Sequence, residues 1–108
     1  MKSSVVINIP KDFSQFPAGR FKAHGDFSGE KFRDGILLNA LKEAEKVSVH
    51  LDGAAGYGSS FLEEAFGGLI RKHGYLEEDL KRRLEIISSD KSLIQEVWDY
   101  INQEAQRH

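Results

Sequence analysis

Across residues 47–71 the hydrophobic period of the chain changes from two to about 3.6 over a short glycine-rich join. Val47, Val49 and Leu51 alternate with Ser48, His50 and Asp52, the pattern of a strand with one buried face. Gly53-Ala54-Ala55-Gly56-Tyr57-Gly58-Ser59-Ser60 follows. Then Phe61, Leu62, Ala65, Phe66, Leu69 and Ile70 recur as one broad apolar helical face. A strand that passes directly into such a helix commits the neighbouring chain to crossover connections, with the helix covering the sheet. Ser60 with Glu63 three residues on reads as a capping box that fixes the helix start. The first amides of that helix have no intrahelical partner and carry the positive end of its dipole. The turn is therefore the expected functional surface, with Gly53, Gly56, Tyr57, Gly58, Ser59, Ser60 and Glu63 as candidate partner-binding residues. Tyr57, at the apex, is the aromatic expected to be exposed.

Elements on either side extend the pattern. Val5-Val6-Ile7-Asn8-Ile9 reads as a strand closed by Pro10, which cannot donate to a ladder. Lys11 to Gly19 is a connection with Phe13 and Phe16 as aromatic anchors, and Arg20 to His24 alternates like an edge strand. Asp26 or Ser28 caps a helix from Glu30 to about Lys46, with Phe32, Ile36, Leu37, Ala40, Leu41 and Ala44 on its apolar side. Arg33 and Asp34 fall on the opposite side, and Gly35 either weakens the helix or allows close packing on the sheet. Lys72-His73-Gly74 carries the signal of a helix end. One or two helical turns at 76–82, a strand at Leu84–Ser88 and a closing helix after Ser89 or Asp90 complete the chain. That last helix buries Leu93, Ile94, Val97, Trp98 and Ile101, and its polar tail from Gln103 to His108 frays. The expected architecture is a small α/β sandwich: a four-stranded mixed sheet with about three main helices, forming a single domain over residues 1–108.

Composition narrows the functional classes. A formal charge of −2, from 15 basic and 17 acidic residues, gives no bulk attraction to nucleic acid or an acidic membrane. There is no cysteine, hence no disulfide framework and no thiolate metal site. Neither a signal peptide nor a membrane-spanning stretch is recognisable, so a cytoplasmic location is expected. The turn lacks the lysine that a nucleotide P-loop needs before its Ser or Thr, and Phe61 stands where a dinucleotide fingerprint requires its third glycine. His24, His50, His73 and His108 show no spacing that would make one of them a base for a catalytic serine. Glu63-Glu64 and Glu77-Glu78-Asp79 have no histidine partners for a metal and read as helix-start and solvated charges. Arg71-Lys72-His73 and Lys81-Arg82-Arg83 read as dispersed surface charge. No cofactor is expected and no enzymatic activity. An anion or nucleotide held at the same helix N-terminus is the alternative to protein binding.

Three blocks carry a family resemblance: Ser28-Gly29-Glu30-Lys31-Phe32-Arg33, Val47 to Asp52, and Ser59-Ser60-Phe61-Leu62-Glu63-Glu64-Ala65-Phe66-Gly67. Over roughly Gly19 to Ile101 the chain resembles the STAS domains, the fold of the anti-sigma-factor antagonists. More closely, it resembles the bacterial STAS-like domains of unknown function. The resemblance implies a non-enzymatic regulatory module that binds a protein, with a histidine-kinase-type ATPase as the partner. In the antagonists the corresponding turn reads Asp-Ser-Ser-Gly and its first serine is phosphorylated by the partner kinase. That position is Ser59 here and Ser60 is its neighbour, so both are phosphorylation candidates. Gly58 replaces the aspartate and Phe61 replaces the glycine.

Overall fold

Strand β1 (Lys2–Asn8) passes into a one-turn helix, α1 (Ile9–Asp12). An irregular stretch then leads to helix α2 (29–43), strand β2 (Ala44–His50), helix α3 (59–73) and helix α4 (Glu77–Arg83). Strand β3 (Leu84–Ile87) and helix α5 (Lys91–Arg107) follow. The computed structural model describes residues 2–107.

The sheet is three-stranded, in the order β1-β2-β3, and both pairings are parallel. Register aligns Val5 with Val47 and Leu84, and Ile7 with Val49 and Ile86, so one face is apolar and packs on the helices. Its opposite face carries Ser4, Val6, Lys46, Ser48, His50, Glu85 and Ile87, and Val6 there is 63% exposed. The expected fourth strand at Arg20–His24 is absent, and with it the mixed sheet: this segment holds a 3-10 turn at Lys22–His24. Its main chain is used elsewhere. Carbonyls of Gly19 and Arg20 accept the Gly29 and Glu30 amides at 2.9 and 3.0 Å, satisfying donors at the start of α2 that have no intrahelical partner.

Local chemistry explains most element ends. The first strand ends at Asn8 rather than Ile9, and Pro10 lies in the first turn of α1, where a missing N–H costs little; Asn8 Oδ1 caps that turn through the Lys11 amide at 3.1 Å. Ser28 Oγ caps α2 by accepting the Lys31 amide at 3.1 Å. That helix ends at Glu43 rather than near Lys46, and β2 starts correspondingly early at Ala44. A side chain at Gly35 would meet nothing within 4 Å, so this glycine does not pack on the sheet. Gly74, at φ +71°, closes α3 in the left-handed conformation expected of it. Asp90 caps α5 through the Ser92 and Leu93 amides. The helix runs through the segment expected to fray, as far as Arg107, because Glu104 is buried and held by Arg71; His108 lies outside the described residues.

Phe32, Phe61, Phe66, Leu62, Leu69, Val97 and Ile101 form the centre of the core. Each such side chain contributes roughly 1.5–3 kcal/mol relative to exposure. Phe13 joins them, with its ring 5.4 Å from Phe32 and 6.2 Å from Phe61. Phe16, the other expected anchor, is 67% exposed. Leu93, Ile94 and Trp98 pack half-buried at the edge of the core. Helices α2 and α3 each contain one wide π turn, Arg33–Leu37 in α2 and Glu63–Gly67 in α3.

Candidate functional site

Because all three strands are parallel, their C-terminal ends lie together, and the connections after them gather at one rim of the sheet. Residues 51–58 form the middle connection. Its base is fastened on three sides. The Leu51 amide donates to Ile87 O at 2.9 Å, and Asp52 accepts the Ser88 hydroxyl at 2.8 Å and the Ser89 amide at 2.9 Å. These hydrogen bonds, that of Ser88 foremost, hold the Asp52 carboxyl below the ordinary carboxylate range. The Ala55 amide donates to Gln15 O at 2.8 Å. Gly53, at φ +106°, takes a backbone conformation that a side chain would strain, and an added Cβ would also press on Pro10 at 3.3 Å.

Tyr57 is not the exposed apex residue that its position predicts. Its hydroxyl turns inward and donates to Leu51 O at 2.6 Å, and its ring lies 6.0 Å from that of Phe61. Burial, reinforced by the nearby Asp52 charge, pushes the phenol well above its usual range. Gly56, Gly58, Ser59 and Ser60 are exposed, and a side chain at either glycine would meet nothing within 4 Å.

Helix α3 begins at Ser59, with Gly58 as its cap residue and no side-chain cap. The Ser60–Glu63 capping box is therefore not formed. Glu63 turns away to Arg20 and to Arg71, whose Nη1 donates to it at 2.9 Å, because two guanidinium groups outbid one amide for a carboxylate. Burial alone would raise the Glu63 carboxyl, but the Arg71 and Arg20 hydrogen bonds outweigh it and hold the group below its ordinary value. Ser59 meets the Tyr100 hydroxyl of α5, which donates to Glu96 at 2.6 Å. Burial and the Glu96 hydrogen bond push the Tyr100 phenol up to about 12.

Thus Gly53, Gly56, Tyr57, Gly58, Ser59 and Ser60 share one rim, while Glu63 belongs to a second feature beside it. This is a cleft of about 410 Å³ between α3 and α5, lined by Arg20, Glu63, Arg71, Tyr100, Glu104 and Arg107. Below it lies a buried ion pair. Arg33 and Glu64 are 2% and 1% exposed, and Arg33 Nη1 donates to the Glu64 carboxylate at 2.6 Å and to its main-chain carbonyl at 3.0 Å. Arg71 Nη2 adds a bond to Glu64 at 2.9 Å, and Asp34 takes Arg33 Nε at 2.8 Å. The pair joins the two π turns, and among the described residues no buried side-chain nitrogen or oxygen lacks a hydrogen-bond partner. Arg33 on a solvated side of its helix, and Glu64 as a mere helix-start charge, are both corrected. A signal was present in the residues: Glu64 is an acid set inside the apolar run from Phe61 to Phe66, and two glycines follow.

The third block of the sequence resemblance, residues 59–67, thus supplies the serines of the rim, the Phe61 and Phe66 anchors and the Glu64 of the buried pair. A family model described as a STAS-like domain of unknown function (DUF4325) matches residues 28–93. The chain belongs to this family. No curated protein and no solved structure matches it significantly. The matched span of this STAS-like domain begins at the Ser28 cap and takes in α2, β2, α3, α4 and β3, so it contains both the serine rim and the Arg33–Glu64 pair. Two further charged or titratable side chains of this STAS-like domain have partners of their own. His73 Nε2 lies 3.0 Å from Asp34, and Arg83 donates to the carbonyls of Leu41, Ala44 and Glu45 behind the end of α2. Among the described residues no helix is long and apolar enough to cross a membrane.

Proposed function

We propose that this STAS-like domain is a non-enzymatic regulatory module that binds another protein through the rim from Gly53 to Ser60, with Ser59 as its phosphoacceptor. The observation that carries the reading is the exposure of Ser59 and Ser60 on a turn whose base is fixed by Asp52, Tyr57 and Ala55. A rigid platform with accessible hydroxyls suits docking, since little ordering is required of it on binding. Phe61, which replaces the glycine of the antagonists' turn, is fully buried against Phe13 and Phe32 and leaves the serines at the surface. Phosphorylation of Ser59 would add about −1.5 to −2 charges at the start of α3, which the helix dipole tolerates and a docked partner would not.

The resemblance to anti-sigma-factor antagonists makes a histidine-kinase-type ATPase the partner to test. Incubation with such an ATPase encoded beside this protein, with ATP, should give a complex on gel filtration and a phosphate mapped to Ser59 by mass spectrometry. Ser59→Asp should weaken the complex while leaving the melting temperature nearly unchanged. Absence of both complex and phosphate would sink the proposal. Stabilisation by a nucleotide alone would favour anion binding at the uncapped start of α3 instead.

A further inference from the structure

Strand β1 has a partner on one side only. It pairs with β2, and among the described residues no main-chain hydrogen bond satisfies its other edge between Lys2 and Ile7. Unpaired strand edges template further pairing, so folded proteins interrupt them with inward charges, prolines or bulges, or keep them very short. Between Ser3 and Ile7 this edge has none of those defences; Lys2 stands at its start, and Asp12 takes the Asn8 amide at its end. Lys2-Ser3-Ser4-Val5-Val6-Ile7-Asn8 is seven residues of continuous strand whose single charge sits at its first position. The face beside it is open as well, with Val6 63% exposed, whereas all-parallel sheets are ordinarily covered on both faces.

We propose that this edge is the interface with a second copy of the chain, in which two β1 strands pair antiparallel across a two-fold axis at Val5. The sequence is self-complementary in that arrangement. Ser4 of one copy lies opposite Val6 of the other, Ser3 opposite Ile7 and Lys2 opposite Asn8. No like charges meet. The Asp12 carboxylate sits at the far end of the strand, where it accepts the Asn8 amide at 2.8 Å. Lys2 of each copy therefore arrives beside an acid of the other, and the symmetry makes that ion pair twice. In the single copy Lys2 has only an exposed contact with Glu43 at 3.6 Å. The product is a six-stranded sheet with the helices of both copies on one side. Strand pairing alone makes a small interface, so the dimer should dissociate on dilution.

Sedimentation equilibrium should show the average mass rising from one chain toward two with concentration. Lys2→Glu should weaken the association at least tenfold, and the swapped pair Lys2→Glu with Asp12→Lys should recover it. The chain has no cysteine, so register can be read by cross-linking. The double variant Ser4→Cys with Val6→Cys should oxidise to a covalent dimer, while each single variant, lacking an opposed thiol, should not. Circular dichroism melts of all variants keep loss of fold separate from loss of pairing. A mass of one chain at every concentration overturns the proposal, as it would if the edge served a different protein. Association indifferent to Lys2→Glu, or cross-linking equal in single and double variants, overturns it too.

Discussion

Replacing Glu64 with alanine tests whether the Arg33–Glu64 pair is what locks α2 onto α3. Removing one member of a buried ion pair leaves the other charge desolvated, a loss of about 3–5 kcal/mol. The low end applies here, because Arg33 would keep its bonds to Asp34 and to the main-chain carbonyl at position 64, and Arg71 would keep Glu63 and Glu104. We therefore expect Glu64→Ala to cost about 3 kcal/mol, a large part of the 5–15 kcal/mol that holds a domain of this size. The melting temperature should fall by roughly 15 °C. Urea unfolding followed by far-UV circular dichroism measures the change, and a double-mutant cycle with Arg33→Ala isolates the pair itself. Replacing both residues with methionine should be far less harmful than either alanine substitution, since no unpaired charge is left behind. A loss below about 1 kcal/mol, or a coupling energy under about 0.5 kcal/mol, would refute the reasoning.

Three further outcomes are expected. A methyl group at Gly29 would stand 2.4 Å from the Phe61 carbonyl oxygen, a main-chain atom that cannot step aside, so Gly29→Ala should cost at least about 1–3 kcal/mol in the same unfolding assay; an unchanged midpoint would contradict the close helix contact. Asp34 and Glu63 are both held below their ordinary values of 3.8 and 4.5, where burial is outweighed by arginine hydrogen bonds. In that case the unfolded chain binds more protons in acid, so their stabilisation is complete above about pH 5 and is lost as pH falls through the lowered folded values. Melting temperature against pH should drop on the acid side, and Glu63→Gln should make that drop shallower. Tyr57→Phe removes the hydroxyl that holds Leu51 O and should cost about 1 kcal/mol, with faster amide exchange at residues 53–58; unaltered exchange would mean that the turn is held by its other ties.

Elements whose cause is local were legible from the residues alone. The β2–α3 unit, caps narrowed to Asp26 or Ser28 and to Ser89 or Asp90, the left-handed end at Gly74 and the apolar faces of α2, α3 and α5 depend on periodicity, side-chain reach and backbone freedom within a few residues of chain. The rim serines were legible for the same reason. What the sequence could not decide were competitions between distant groups. Arg20 to His24 alternates like a strand, yet the Arg20 carbonyl goes to the start of α2, those of Phe21 and Lys22 close a 3-10 turn, and the sheet stops at three strands. Ser60 and Glu63 have capping-box spacing, but Arg20, far away in sequence, and Arg71, further along α3, bind the carboxylate more strongly than an amide can. Arg33 and Glu64 look like surface charges until the packing of α2 on α3 removes water from both. Only then does the low dielectric make each indispensable to the other, and that condition is created by tertiary contact, not by neighbours along the chain.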